Sequence, residues 1–184
     1  MSSEISVLLG TKAEMIKIAP VLEEFEKRGI SYRLIETGQH GAYLDTLRKE
    51  FQIRKPDTRL GNNKDVDTFF EACKWLSGLI PLVISKKRLT GKIFSTSKGI
   101  CLLHGDTPST LIGALLAKRA GLQIAHLESG LRSGSFFHPF PEEVIRVIVM
   151  KLADLLFAPD KKAVANLIKL KVKGRIEETT INTG

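Results

Sequence analysis

Two acidic residues, Asp106 and Glu128, each follow a short apolar run and stand two residues after a histidine. The two runs read "ICLLHGD" and "QIAHLE", and each leads into a segment that contains glycine. A carboxylate beside a histidine can move a proton or stabilise a positive charge that develops during a reaction. The pattern therefore raises acid–base chemistry on a substrate as a hypothesis for this chain.

The elements around these acids alternate between short apolar runs and amphipathic stretches, which is typical of β-α-β units around a parallel sheet. We predict strands over residues 5–9, 31–35, 100–103, 123–126, 155–157 and 176–181. We predict helices over residues 14–28, 43–51, 67–87, 107–119, 141–153 and 161–169, and loops over 55–65, 88–99 and 129–139. The sequence thus predicts one α/β domain with a doubly wound, Rossmann-like parallel sheet.

Ligands of open parallel sheets bind beyond the carboxyl ends of the strands. Four polar clusters fall at such ends, over residues 10–11, 37–40, 104–106 and 126–128. Structural roles stay open for several of them. Asp106 could cap the helix that follows it, whereas no helix is predicted directly after Glu128. His104 and His126 are interpreted as strand-end histidines with satisfied hydrogen bonds rather than as bases.

Composition narrows the class of protein. The 184 residues suffice for one domain with a sizeable core, and the net charge of +8 suits an anionic ligand such as a nucleotide. The basic stretch 86–98 favours a solvated helix end over a nucleic-acid surface. Cys73 and Cys101 lack metal-ligand spacing and are predicted to be small buried side chains. We recognise neither a signal peptide nor a membrane-spanning run, and expect a cytoplasmic protein with no membrane or nucleic-acid partner.

Six motifs carry a resemblance to a known family. They occur in the order "GTKAEMIKIAPV", "TGQH", "HGDT", "HLESGLRSG", "PFPEE" with Arg146, and "FAPD". In this order and at this spacing the chain resembles the non-hydrolysing UDP-N-acetylglucosamine 2-epimerases. The resemblance implies one half of a GT-B type architecture, with residues 1–184 as the N-terminal Rossmann-like domain and the C-terminal UDP-binding domain absent from this chain.

The resemblance also implies a reaction. Family members convert UDP-N-acetylglucosamine (UDP-GlcNAc) to UDP-N-acetylmannosamine (UDP-ManNAc) by eliminating UDP and adding it back. This chemistry needs carboxylates near C2 and C3 of the sugar, and cationic or N–H groups for the diphosphate. No redox cofactor is required, which agrees with the lack of a G-x-G-x-x-G sequence after the first strand. No cofactor and no metal are expected.

Carried over residue by residue, the resemblance assigns three kinds of site. The catalytic carboxylates are Asp106, Glu128 and Glu142. The residues implied to bind substrate are Lys12, Lys17, Arg132, His104 and Glu143, with Arg132 holding a phosphate or orienting Glu128. Gln39 and His40 match a loop implied to contact a second, regulatory UDP-sugar. As plain structural alternatives, Glu142 would be a charge favourable to its helix dipole and Lys17 a surface lysine.

The resemblance further implies partners and a place in the cell. These are UDP-GlcNAc and UDP, a second copy in a homodimer, and a separately encoded C-terminal half. The expected location is the cytoplasm, in cell-surface polysaccharide biosynthesis. The helix 141–153 is apolar on nearly every face, so it is predicted either to be buried on all sides or to meet a partner.

Departures from the family pattern keep other functions open. The usual "GTRPE" is "GTKAE" here, so Lys12 replaces an arginine fork and Ala13 a proline. Ile145 replaces an asparagine and is predicted to remove a polar contact near the acids, while Ser129 for alanine is a mild change. The alternatives are a non-catalytic nucleotide-sugar-binding remnant and half of a split GT-B glycosyltransferase.

Overall fold

The computed structural model describes residues 4–61, 71, 74–75, 77–78, 81, 85–134 and 140–179. Within them, seven strands form one sheet in the order β3-β2-β1-β4-β5-β6-β7, and all neighbouring strands are parallel. The strands are β1 (Glu4–Leu9), β2 (Tyr32–Glu36), β3 (Thr58–Arg59), β4 (Gly99–His104), β5 (Gln123–Leu127), β6 (Leu155–Ala158) and β7 (Arg175–Glu178). The predicted doubly wound, Rossmann-like α/β fold is confirmed.

Helices connect the strands. They are α1 (Lys12–Lys27), α2 (Gly41–Glu50), α3 (Lys86–Arg88), which continues into a π-helical turn (Leu89–Ile93), α4 (Pro108–Ala120), α5 (Glu142–Leu152) and α6 (Lys161–Lys169). No helix in the described part of the chain combines the length and hydrophobicity that a bilayer crossing needs. Of the predicted helix 67–87, residues 71, 74–75, 77–78, 81 and 86–87 are helical, and 67–70, 72–73, 76, 79–80 and 82–84 lie outside the described residues.

Two predicted loops contain regular structure instead. Residues 55–65 were expected to be a loop, but Thr58 and Arg59 pair with the end of β2 as a two-residue edge strand. The stretch 88–99 was expected to be a polar loop, but Leu89, Ile93 and Phe94 are buried in the core beneath the sheet. Leu89 and Ile93 are four residues apart, and Phe94 follows directly. Three apolar residues over so short a stretch do not show the repeat by which a helix or strand is recognised in a sequence. This connection therefore contributes packing as well as length.

The sheet separates two hydrophobic clusters because successive strand residues point to opposite faces. On β1, Leu8 packs with the cluster beneath α4 and α5, whereas Val7 and Leu9 pack against α1 and α2. Cys101 is buried and free, as predicted, and burial raises the pKa of its thiol to about 12. Cys73 lies outside the described residues.

Helix α5 is not buried on every side. Ile145, Val149 and Met150 face the core, but Ile148 is 39% exposed. The prediction of burial on every side is therefore wrong. The exposed residues of the helix are Ile148 and Lys151.

Close packing fixes α4 on the sheet. A Cβ atom at Gly113 would lie 2.6 Å from Leu8 Cδ2 and 2.9 Å from Leu103 Cδ2. The helix can approach β1 and β4 only because residue 113 has no side chain. This close contact fixes the position of α4, and of the residues just before it, relative to the ends of β1 and β4.

We expect Gly113→Ala to destabilise the fold by about 1–3 kcal/mol, because the added methyl group overpacks a buried contact. Urea unfolding measures the loss. Gly91→Ala is the matched control, since a Cβ atom there meets nothing within 4 Å. Equal unfolding free energies for the two variants would contradict the close approach of α4.

Candidate active site

The predicted meeting of four polar clusters at one sheet edge is confirmed. Strands β2, β1, β4 and β5 are neighbours in that order. Their carboxyl ends therefore lie side by side, and each is followed by one of the clusters at residues 37–40, 10–11, 104–106 and 126–128. The parallel arrangement alone brings together residues that are more than a hundred positions apart.

Glu128 lies at this edge between two basic side chains. Lys17 Nζ, on α1, lies 3.1 Å from Oε1, and His104 Nε2 lies 3.2 Å from Oε2. These contacts hold the pKa of Glu128 at about 2, with His104 the larger cause and Lys17 the smaller, although partial burial acts in the opposite sense. Glu128 also has a left-handed backbone, with φ of 52°. The carboxylate is therefore ionised and fixed in direction throughout the physiological pH range.

The two histidines differ. His126 is satisfied, as predicted, because Nδ1 lies 2.5 Å from Ser129 Oγ and Nε2 lies 2.8 Å from the Gly105 carbonyl oxygen. Burial lowers its pKa to about 4, so the ring is neutral and Nε2 carries the proton that the carbonyl accepts. His104 is not satisfied, contrary to the prediction. Among the described residues, neither of its buried ring nitrogens has an aligned hydrogen-bond partner, although Nε2 lies within 3.2 Å of Glu128 Oε2.

Asp106 does not cap the following helix. Thr107 is the N-cap of α4, through a hydrogen bond from the Thr110 N–H to its hydroxyl. Asp106 instead accepts from Arg146 on α5. Arg146 belongs to the motif that begins "PFPEE", and no role is predicted for it from the sequence. An ion pair across 40 residues leaves no local signal in one sequence.

Glu142 lies beside a cavity of about 450 Å³ at the starts of four helices. The cavity is lined by Thr11, Lys12, Ala13, Ile16, Gln39, His40, Thr107, Pro108 and Glu142. Glu142 Oε2 is buried, and no donor from the described residues reaches it. The Gln39 side-chain oxygen accepts from the N–H and hydroxyl of Ser109, which holds the end of β2 against α4. Lys12, Gln39 and His40 thus share one cavity, and their binding roles stay predictions.

Glu143 was predicted to contact substrate, but it is fully buried. Its carboxylate accepts from Arg132, from Arg146 Nη1 at 2.6 Å and from the Ser133 N–H at 3.4 Å. The structure therefore places it behind the site. Arg132 is paired with Glu143, and the described contacts of Glu128 come from Lys17 and His104 instead. Arg132 does not orient Glu128, and its contact with phosphate stays a prediction.

The other departures from the family pattern also have structural positions. Ile145 is 6% exposed and belongs to the hydrophobic core. That its replacement of an asparagine removes a polar contact near the acids stays a prediction. Ala13 lines the cavity next to Glu142. The change at position 13 therefore bears on the site, and the change at position 145 bears on packing.

Sequence reasoning missed Glu14, a fully buried carboxylate on α1. It accepts from the N–H groups of Gly10 at 2.6 Å and Thr11 at 3.1 Å, and from the hydroxyls of Thr107 and Thr110. Burial raises its pKa, and these hydrogen bonds act in the opposite sense. The signal available was the capping box of Thr11 and Glu14. Because Glu14 occupies the N–H groups of the first β–α turn, that turn is not free to cradle a phosphate.

The pKa of Glu128 should depend on its two basic neighbours. We expect Lys17→Met and His104→Asn each to raise it from about 2 towards 4.5, since each removes one cause of the shift. A ¹³C NMR titration of the Glu128 carboxyl measures the change, with Glu128→Gln to assign the signal. The stabilisation from this ionised group is complete above pH 4.5 and is lost as the pH falls through 2.

Lys27→Met serves as the control for that titration, because Lys27 pairs with Glu23 on the exposed side of α1. The Glu128 curve should not move in this variant. An unchanged Glu128 pKa in both Lys17→Met and His104→Asn would show that the two contacts do not hold the carboxylate.

Comparison with known proteins places this arrangement in a family. The family model described as UDP-N-acetylglucosamine 2-epimerase matches residues 23–184. The chain is 34% identical over 186 residues to a UDP-N-acetylglucosamine 2-epimerase of Campylobacter jejuni, covering 100% of this chain and 45% of that protein. It is 35% identical over 182 residues to one of Bacillus subtilis, covering 98% and 45%. The chain thus spans about half the length of the curated relatives it matches.

Solved structures agree. The Methanocaldococcus jannaschii UDP-GlcNAc 2-epimerase in complex with UDP-GlcNAc and UDP superposes with a TM-score of 0.78 and 29% identity, over 95% of this chain and 45% of that one. The Neisseria meningitidis enzyme bound to UDP-GlcNAc gives 0.76 and 29%, over 96% and 46%. Acinetobacter baumannii MurG, at 0.52 and 13%, shows the fold alone. By sequence and by structure, the chain belongs to the UDP-N-acetylglucosamine 2-epimerase family.

Proposed function

We propose that this chain supplies the carboxylate half of the active site of an enzyme that interconverts UDP-GlcNAc and UDP-ManNAc. The observation that carries the proposal is that Asp106 and Glu128 follow two neighbouring strands, that Arg146 on α5 binds Asp106, and that Glu142 at the start of α5 lines a cavity at the same edge, in a chain of this family. Three acids with different partners suit a reaction in which a proton is transferred at C2 and positive charge develops near C1 in the transition state.

The proposed reaction proceeds by elimination and re-addition. A carboxylate takes the C2 proton, a double bond forms between C1 and C2, and the C1–O electron pair leaves with UDP. A proton then returns to the opposite face of C2, and the UDP oxygen attacks C1 again. Atoms and electrons balance without a redox cofactor, and UDP-GlcNAc and UDP-ManNAc differ only at C2.

The partners of the three acids favour different roles. Glu128, with a pKa of about 2, is too weak a base for efficient proton transfer near neutral pH, and suits stabilisation of positive charge that develops near C1. Glu142 has a buried oxygen free of described donors and suits proton transfer to or from the sugar. Asp106, which Arg146 holds in place, is the third carboxylate of the proposed site.

We further propose a separate nucleotide-binding domain for the other half of the site. Glu14 fills the first β–α turn of this domain, so the diphosphate would rely on Lys12 and on a second domain that is not part of residues 1–184. A cytoplasmic location and a role in cell-surface polysaccharide biosynthesis follow from the same proposal, since nucleotide sugars are activated precursors of such polymers.

The test uses ¹H NMR in D₂O with UDP-GlcNAc, this chain, and the C-terminal half of the Bacillus subtilis relative added as a second component. We expect deuterium at C2 and formation of UDP-ManNAc in the mixture. Asp106→Asn, Glu128→Gln and Glu142→Gln should each slow the exchange by about 10²–10⁴-fold, because each removes a group used in the transition state.

Glu23→Gln, an exposed carboxylate on α1, is the matched control and should keep the wild-type rate. Tight UDP-GlcNAc binding without C2 exchange would instead support a non-catalytic binding remnant. Transfer of the sugar to an acceptor without C2 exchange would support a split glycosyltransferase. Full activity in Asp106→Asn would contradict the assigned mechanism.

We also propose that the chain pairs with a second copy through α4 and α5. These helices pack together and present Leu115, 40% exposed, and Ile148, 39% exposed. Light scattering should give the molar mass of a dimer, and Ile148→Lys should shift it towards the monomer. Ile168→Lys, on α6 and 63% exposed, is the control and should stay dimeric. A wild-type chain that is monomeric would refute this interface.

A further inference from the structure

The proposed chemistry leaves one charged group of the site unused. Glu143 follows Glu142 in the first turn of α5, and its side chain is fully buried. Burial raises the pKa of its carboxyl, but hydrogen bonds from Arg132 and Ser133, with the charges of Arg132 and Arg146, bring the pKa below its usual value. A buried, ionised carboxylate that cannot reach a ligand must act through its neighbours.

Its neighbours lead to all three acids of the site. Arg146 donates to Glu143 with Nη1 and to Asp106 with Nη2, so one guanidinium bridges the two carboxylates. Arg132 and Ser133 belong to the segment that leaves Glu128, and both donate to Glu143. Glu142 is its neighbour in the chain. One carboxylate is thus tied to the end of β4, to the segment after β5 and to the start of α5.

The order of charges explains why a carboxylate is needed there. Asp106, Arg146, Glu143 and Arg132 alternate in sign along one connected line. Without Glu143, two largely buried guanidinium groups would face each other, with side chains 19% and 14% exposed. Repulsion between the two guanidinium groups would displace Arg146, and its contact with Asp106 would be disturbed as a result. Arg132 and Arg146 donate to different oxygens of Glu143, so a glutamine of the same size would turn an NH2 donor towards one of the two arginines.

We propose that Glu143 is a positioning residue that holds Arg146 against Asp106 and keeps Asp106 and Glu142 at a fixed separation. This role rests on the proposed epimerase function, because it serves acids that are catalytic only in that function. In this role Glu143 does not bind substrate. Arg132, which donates to Glu143, helps to hold it in place.

The first experiment measures geometry and needs no activity. In this chain, ¹⁵N NMR of arginine side chains should show slowed guanidinium rotation for Arg146 and Arg132, with Arg146→Lys and Arg132→Lys to assign the signals. Glu143→Gln should restore free rotation to at least one of them, since glutamine has a single acceptor oxygen. Unchanged slow rotation of both groups would overturn the proposal.

The second experiment measures catalysis in the two-component preparation described above. Glu143→Gln should lower kcat by about 100-fold and leave KM nearly unchanged, because the displaced acid acts in the transition state. The double variant Glu143→Gln/Arg146→Gln should be no slower than Arg146→Gln alone, since both changes act through one contact. Additive losses would overturn the proposal.

Glu36 provides a matched control. It is also fully buried and also held by two arginines, Arg48 and Arg59, but lies at the end of β2 next to the edge strand. Glu36→Gln should lower stability yet keep kcat, whereas Glu143→Gln should lower kcat in the folded fraction. Equal effects on kcat would mean that Glu143 is merely structural, and would overturn the proposal.

Glu143→Asp keeps the charge and is the second variant if the glutamine form does not fold. Its shorter side chain cannot reach both arginines, so kcat should again fall, and a wild-type kcat would overturn the proposal. The two proposals fail separately. Loss of all C2 exchange in the wild type removes the epimerase function, while the NMR result still decides whether Glu143 fixes Arg146.

Discussion

Compensation of the buried and half-buried carboxylates at one sheet edge is the constraint on which this structure depends. A parallel sheet places the ends of its strands together, and here those ends and the adjoining helices carry several acids. Four of these acids are compensated by donors, and one arginine is shared between two of them. Lys17 and His104 serve Glu128, Arg146 serves Asp106, Arg132 and Arg146 serve Glu143, and backbone N–H groups serve Glu14. Without these pairings the edge would lose its acids to protonation or to displacement into solvent.

The backbone makes these pairings possible by close approach. A Cβ atom at Gly10 would lie 1.9 Å from Thr37 Oγ1 and 2.0 Å from Ser109 Oγ, so the ends of β1 and β2 and the start of α4 meet only around a glycine. Thr37 and Ser109 then share a hydrogen bond of 2.7 Å. This contact fixes the start of α4, and hence the position from which Asp106 leaves β4. Fold and site are therefore coupled through packing of small residues rather than through long side chains.

Much of the fold could be predicted because its signals are local. The helix over 161–169 was placed correctly, and β4 and α4 were found within about one residue, since each apolar run is bounded by glycine or by a capping residue. The strand β3 was missed because two residues carry no periodicity, and its pairing with β2 is a backbone contact. The buried turn before β4 was missed for the same reason.

The sequence predicts which acids lie at the sheet edge, but it does not predict which side chains they contact. A strand-end position suffices to place Asp106 and Glu128 at the edge. The partners that set their behaviour, Arg146 and Lys17, lie 40 and 111 residues away, and no pattern in a single sequence joins them. Glu142 and Glu143 show the same limit, because two consecutive glutamates cannot be told apart by charge or by position in the sequence. The direction in which each side chain leaves α5 separates them, and that direction depends on tertiary packing.

Among the described residues of this edge, Glu142 is the exception to the pairing of charges, and the exception has a physical consequence. A buried carboxylate oxygen that no described donor reaches costs about 1–3 kcal/mol, which the start of α5 offsets only in part. That cost is removed when a ligand hydroxyl or amide donates to Oε2. Glu128 gains nothing comparable, because Lys17 and His104 already compensate it. Two acids at one edge therefore differ in what they gain from a ligand. This difference supports the separate roles proposed for Glu142 and Glu128.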